Sequence, residues 1–564
     1  MKFNDMTYTR PDVKKVEQQF EQLLKSFKES SSFEEQDESL AAINKLRSEV
    51  DTQCSLVYIR HSIDTNDESY KKEQDYIDEI SPVLQGYSTN VYRELVNAKF
   101  RSGLEKKWGK QLFQLAEMSL KTFDEAVIED LQKENKLITE YNQIIASAKI
   151  DFEGEERTLS QLTPFEMNTD RKVREAAAKA RYRFMSENEE NFDRIYDELV
   201  KVRTKIAKKL GFENFVELGY ARMSRTDYDK NMVARFRDQV AEHIVPLAVK
   251  LRERQQNRIG VDTLKYFDEP FSFKSGNATP KGDAEWIIAN GEKMYAQLSP
   301  ETKEFYHFMQ ENDLMDLLSK KGKQGGGYCA YLSEYQAPFI FANFNGTSGD
   351  IDVLTHEAGH AFQGYESRHY SVPEYNFPTM EAAEIHSMSM EFFTWPWMES
   401  FFKEDVEKYK FEHLSSGLLF IPYGVTVDEF QHFVYENPEA TPKERKEAWR
   451  RIEQKYLPHR DYGDNSYLEN GGYWQRQGHI FQGPFYYIDY TLAQICAFQF
   501  WKNMKNDWDR AWNDYLSLCK AGGSQSFTSL VNEAGLLSPF EDGTVKAVID
   551  DIEAYLSSVD DTKL

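Results

Sequence analysis

Residues 351–364 read Ile-Asp-Val-Leu-Thr-His-Glu-Ala-Gly-His-Ala-Phe-Gln-Gly, a stretch that accommodates little besides a helix. Leu354, Ala358, Ala361 and Phe362 make an apolar stripe at helical spacing, with Thr347 or Ser348 as the expected N-cap and Asp350 and Asp352 as a negative first turn. Just upstream, Pro338-Phe339-Ile340-Phe341-Ala342-Asn343-Phe344 reads as a strand entering that helix through Asn345-Gly346. His356 and His360, four apart, lie one above the other on the helix and can aim imidazole nitrogens at one metal ion. Glu357 sits about 100° around the helix from His356, off the metal yet close enough to take a proton from a water at the ion. This is a zinc pattern in which the base stands beside the nucleophile it generates.

A catalytic zinc needs a third protein ligand and one open position. The helix expected over 379–388 offers Glu381 and Glu384, three apart on nearly one face, and by spacing either can reach. Glu381 falls in the first turn behind a Thr379 cap, where an acidic residue complements the helix dipole without any metal. Glu384 lies deeper and lacks that explanation. His386 points away from the Glu384 face and reads as a core histidine, or one that supports a ligand.

The 564 residues are 40% hydrophobic with 38 Phe and 32 Tyr, ample for a globular core. The formal charge of −25 is spread without a basic patch, which argues against nucleic acid or an anionic membrane as partner. Cys54, Cys329, Cys496 and Cys519 stand far apart with no zinc-finger or redox spacing. With no signal-like apolar N-terminal run and no bilayer-length segment, they point to a reducing compartment and a cytoplasmic protein.

In chain order, Val13, Val16, Phe20, Leu23, Leu24 and Phe27 fall at spacings of three and four, and similar stripes recur to residue 211, so the opening third is expected to be helical. A hairpin is expected around 147–157, and a boundary between an N-terminal helical lobe (1–200) and a catalytic lobe (201–564) near residue 200. Lys321 to Gly327 lacks the Gly-Lys-Ser/Thr end of a phosphate-binding loop and reads as a flexible connection. With Tyr328–Tyr331 and the strand at 338–344 it predicts a small sheet beside the motif helix, whose exposed edge suits a substrate backbone. The run Phe392 to Trp397 reads as core. Further on, His479 precedes Gly483-Pro484-Phe485-Tyr486-Tyr487-Ile488-Asp489-Tyr490, where Tyr486 and Tyr490 share a helix face, an arrangement able to donate hydrogen bonds to a developing oxyanion.

His356-Glu357-Ala358-Gly359-His360, Glu384 in a Glu-x-x-Ser setting with Ser387, and His479 ahead of Pro484-Phe485-Tyr486 and Tyr490 together resemble the thimet oligopeptidase and oligoendopeptidase F family of zinc metallopeptidases, in particular its bacterial Pz-peptidase branch. The resemblance is strong from about 325 to 492 and rests on helical character and order over the N-terminal lobe. It implies a mainly α, two-lobed ellipsoid with a deep substrate channel and a small β-sheet next to the motif helix. It selects Glu384 over Glu381 as third ligand of one zinc ion per chain, Glu357 as base, and His479, Tyr486 and Tyr490 for substrate binding and transition-state stabilisation. Gly483-Pro484-Phe485 stands where the thimet enzymes have Gly-Gly-Tyr, so Tyr487 is a further candidate donor. The implied activity is internal cleavage of short unstructured peptides, and the sequence leaves monomer and homodimer equally open. A dipeptidyl carboxypeptidase of similar fold, and a zinc-stabilised peptide-binding scaffold, are the alternatives.

Overall fold

The computed structural model describes residues 1–320 and 322–564, and Lys321 lies outside the described residues. The chain opens with antiparallel helices. α1 (Val13–Glu29) begins at Asp12, whose carboxylate accepts from the backbone N–H groups of Lys14 and Lys15, and α2 (Phe33–Ile63) begins at Ser32, whose hydroxyl accepts from Glu35. Val16, Phe20 and Phe27 of α1 meet Leu40, Ile43 and Leu46 of α2 in a core that also takes in Leu95, Leu104, Leu112 and Phe113. Val372 and Tyr375, from far downstream, plug into the same core. The expected hairpin is present as β1 (Ile150–Phe152) and β2 (Glu155–Arg157), with Glu153 and Gly154 both at positive φ in the turn. Helix α3 (Glu189–Lys209) runs without a break through residue 200.

The sheet follows as β3 (Met315–Leu318), β4 (Tyr328–Leu332) and β5 (Ala337–Phe344). β5 is central, parallel to β3 and antiparallel to β4, so β4 is an edge strand. The connection before β4 is pinned, unlike the flexible linker expected from its glycines. The Gly322 carbonyl accepts from Thr65, the Gln324 N–H donates to the Ser62 carbonyl, and the fully buried Lys323 ammonium donates to the Asp316, Leu318 and Ala342 carbonyls. β5 delivers the chain into α4 (Gly349–Glu366), which packs on the sheet. Ser348 makes no side-chain cap there. Asp350 reaches back instead, its carboxylate accepting from the N–H groups of Asn345 (2.8 Å) and Gly346 (2.7 Å).

Three long helices complete the framework: α5 (Met380–Phe393), α6 (Val406–Glu436) and α7 (Tyr487–Asn506). Thr379 likewise supplies no cap hydrogen bond to α5. α5 is wedged between α4 and α7, buried on nearly all sides, and Phe392 and Phe393 are core as the sequence leads one to expect. Helices with two small sheets make this a mainly α protein.

Candidate metal centre and active site

The close approach of α4 to α5 depends on Gly359. A Cβ there would lie 2.7 Å from both the His386 carbonyl oxygen and the Ser387 Cα, so only glycine lets the helices come this near. The approach sets Glu384 of α5 against the histidines of α4. Its Oε2 lies 3.3 Å from His356 Nε2 and 3.6 Å from His360 Nε2. His356, His360 and Glu384 together present three donor atoms within 4.8 Å of one another. Tetrahedral zinc with bonds of about 2.0–2.1 Å needs donors about 3.3–3.4 Å apart, so two imidazoles and a carboxylate at these separations fit that ion.

Other groups hold the three in place. The Nδ1 of His356 donates to Glu391 Oε1 (2.7 Å), which leaves Nε2 free for a metal, and Glu391 Oε2 pairs at 2.7 Å with His413 Nε2. Trp395 Nε1 donates to the other ring nitrogen of His413. The Ser387 hydroxyl donates to Glu384 Oε2 (3.0 Å) and the Tyr486 hydroxyl to Oε1 (2.9 Å). Burial pushes the Glu384 carboxyl up, but the hydrogen bond and charge of His356, with His360 and Tyr486, win and hold it near 2. Glu381 faces away from this cluster. Buried near Asp489 and Arg225, it has its carboxyl raised by desolvation and by the Asp489 charge, the opposite of its neighbour one turn on. His386 is fully buried in the core.

Glu357 is 7% exposed, and its Oε2 has no hydrogen-bond partner among the described residues. Desolvation lifts its carboxyl to about 7, which readies it to take up a proton. Its Oε1 would lie 3.5 Å from a Cβ on Gly327, so Glu357 borders the start of the edge strand β4. The sheet edge expected beside the motif helix therefore lies next to Glu357.

The opposite wall comes from the segment before α7. Phe485 has φ 69°, a left-handed conformation costly for a bulky residue. The contacts that hold it there are explicit: its N–H donates to Gln431 (2.9 Å), its carbonyl accepts from Arg225, and its buried ring packs on Tyr220, His432 and Tyr435. Arg225 is itself fixed by a fully buried ion pair with Asp489 (2.7 Å). This clamp presents Tyr486 to Glu384. His479, Tyr487 and Tyr490 line, with His356 and Phe420, a cleft of about 400 Å3. Gln477 is oriented by Tyr423, whose hydroxyl donates to its Oε1 (2.9 Å), so its amide nitrogen donates to His479 Nδ1 (2.8 Å) and the imidazole proton resides on Nε2. Burial lowers the His479 pKa, which favours the neutral ring. Sequence reasoning did not pick out Glu391, His413 or Gln477. The spacing of Glu391, seven residues and two turns beyond Glu384, is the one local signal for it.

A model described as peptidase family M3 matches residues 165–278 and 302–549, and one described as the peptidase M3 N-terminal domain matches 3–123. The chain belongs to peptidase family M3, whose members are zinc metalloenzymes, and it is a metalloendopeptidase of that family. Among solved structures, Pz peptidase A with an inhibitor is 64% identical with a TM-score of 0.96, both chains being covered in full. A protein of Bacillus anthracis str. Ames, provisionally described as an oligoendopeptidase F, is 60% identical with a TM-score of 0.92 over 100% of this chain and 99% of its own. The curated oligoendopeptidase F homolog of Borreliella burgdorferi is 24% identical over 409 residues, and the match spans 70% of this chain and 65% of the relative's length.

Proposed function

We propose that this chain is a zinc-dependent oligoendopeptidase acting on internal bonds of short, unstructured peptides, with one zinc held by His356, His360 and Glu384. The observation that carries the reading is the convergence of those three donors next to an unpartnered, buried Glu357 carboxylate oxygen. Zinc bound there supplies Lewis acidity, which polarises the scissile carbonyl and lowers the pKa of water. Glu357 accepts the proton of the attacking water and passes it to the leaving amine, a shuttle suited to its raised pKa. His479 offers its Nε2–H, and Tyr490 its hydroxyl, to the oxyanion that develops as the carbonyl becomes tetrahedral. Tyr486, whose hydroxyl is engaged by Glu384, holds that ligand and joins the donor set only if released, with Tyr487 as a further donor on the cleft wall. The edge of β4 beside Glu357 would bind the peptide backbone by strand addition, which tolerates varied side chains.

In this proposal residues 1–200 cover the catalytic lobe 201–564, and because the boundary falls inside α3 the two share a continuous helix. Lobe contacts include the buried pair Arg47–Glu374 (2.6 Å). A cytoplasmic location is supported by four free cysteines. No helix of the described residues is long and apolar enough to cross a membrane. The expected state is a monomer or homodimer.

The test is digestion of peptides blocked at both ends, read by mass spectrometry, with metal analysis of the same sample. Internal cleavage together with about one zinc per chain is expected. Release of C-terminal dipeptides only, and only from unblocked peptides, would mean a dipeptidyl carboxypeptidase instead.

A further inference from the structure

Beyond the cleft at the metal centre lies a second cavity of about 350 Å3. The two share Ser416, Phe420 and Tyr487 as a common wall, so a peptide lying across the metal centre has a chamber at one end. Its chemistry is opposite to that of the protein as a whole. In a chain of formal charge −25, four guanidinium groups, Arg252, Arg258, Arg460 and Arg476, line this one space, against the carboxylates of Glu269 and Glu412.

Three of the four are paired with carboxylates of the protein itself. Arg460 binds Glu269 through two nitrogens (3.1 and 2.8 Å) and also reaches Glu453, Arg252 lies 3.6 Å from the same Glu269, and Arg258 pairs with Asp561. Arg476 differs. Its Nη1 donates to two phenol oxygens, Tyr182 (2.7 Å) and Tyr473 (3.4 Å), and no carboxylate lies within 4.0 Å of it among the described residues. Its side chain is exposed to the cavity. Glu412, the other carboxylate there, is engaged by the Ser272 hydroxyl (2.8 Å), and burial raises it to about 7, which weakens the compensating charge it offers. A guanidinium with no carboxylate in contact, held by two hydroxyls and exposed on the wall of a cavity, is arranged to receive a planar anion on its free nitrogens.

We propose that Arg476 is a specificity residue that binds a carboxylate of the substrate in this chamber, either the peptide's terminal α-carboxylate or an acidic side chain. This rests on the reading of the adjoining site as a peptidase. Because Gln477, the next residue, orients His479, a substrate anchored on Arg476 is also registered against the oxyanion donors.

The experiment measures kcat and KM for internally quenched peptides of one sequence in four forms: C-terminal acid or amide, each with Glu or Gln at a position near that end. Wild-type enzyme is expected to favour the carboxylate-bearing form about tenfold or more in kcat/KM, as one charge-assisted contact allows. A preference that follows the terminus identifies the α-carboxylate, and one that follows the side chain identifies the acidic residue. In Arg476→Gln the preference should shrink to less than twofold through KM and not kcat, while Arg476→Lys keeps part of it. Raised salt should erode the wild-type preference without any substitution, which tests the charge even where the variants fold poorly. Equal use of all four peptides by the wild type, or a preference that survives in Arg476→Gln, overturns the assignment. Failure of the wild type to cleave any of the four is a different result, one that removes the peptidase reading and this assignment with it.

Discussion

Helices α1 and α5 solve opposite problems with the same backbone. In α1 the buried residues are Val16, Phe20 and Phe27, all apolar and on one side, while the polar residues face water. In α5 every residue from Glu381 to Ser387 is buried, and four of these seven are polar. On α1 the carboxylates of Glu17, Glu21 and Glu29 are all exposed to water. On α5 each polar group must be matched by the protein, and mismatch is where chemistry accumulates. Glu381 and Glu384 show this within one turn: desolvation and Asp489 raise the first, whereas two imidazoles and a tyrosine hydroxyl lower the second. The N-terminal core is thus a stability device, and the α4–α5 seam gathers buried polar groups that need partners, three of them placed so that they could hold a metal ion.

The contrast predicts that changes at the seam alter function with little effect on folding, and changes in the N-terminal core do the reverse. The largest effect is expected for Glu357→Gln, a loss of about 10²–10⁴-fold in kcat with zinc content and thermal melt unchanged. Normal turnover in that variant would remove Glu357 from the mechanism. Next comes Phe20→Ala, which should cost about 3–5 kcal/mol by opening a cavity in a residue only 4% exposed, read by urea titration, while the folded enzyme keeps its kcat at low temperature. A large fall in kcat would show that the two cores are not separable. Glu391→Gln should weaken zinc binding or activity by about 10–100-fold, because the carboxylate that fixes the His356 tautomer is lost. Competition with a chelator measures it, and unchanged affinity would reduce Glu391 to packing.

The smallest effect is expected at the Arg47–Glu374 pair. Burial raises the Glu374 carboxyl, but Arg47 and Tyr92 outweigh it, so its folded pKa lies below the ordinary value of 4.5. The pair's contribution is therefore complete above that ordinary value and is lost as pH falls through the lower folded pKa. Glu374→Gln should lower the melting temperature by a few degrees, roughly 1–3 kcal/mol, at neutral pH. The difference from wild type should close on acidification, and a gap that widens in acid would contradict the ion pair.

Much of this was legible in the residues themselves. Periodicity is readable where one face of a helix is wet, which is why α1, α2 and the strand preceding the motif helix stand out, and the spacing of His356 and His360 determined by itself that two imidazoles share a face. Spacing left Glu381 and Glu384 equivalent, because both lie on one stripe of one helix. Their difference arises from what packs against them: α4 at Gly359 on one side, the Arg225–Asp489 pair on the other. The same holds for Glu391, His413 and Arg476, whose roles depend on partners distant in sequence. Local spacing follows from bond geometry and is written into the chain, whereas the field at a buried charge is the sum over neighbours that only the folded packing brings within a few ångströms.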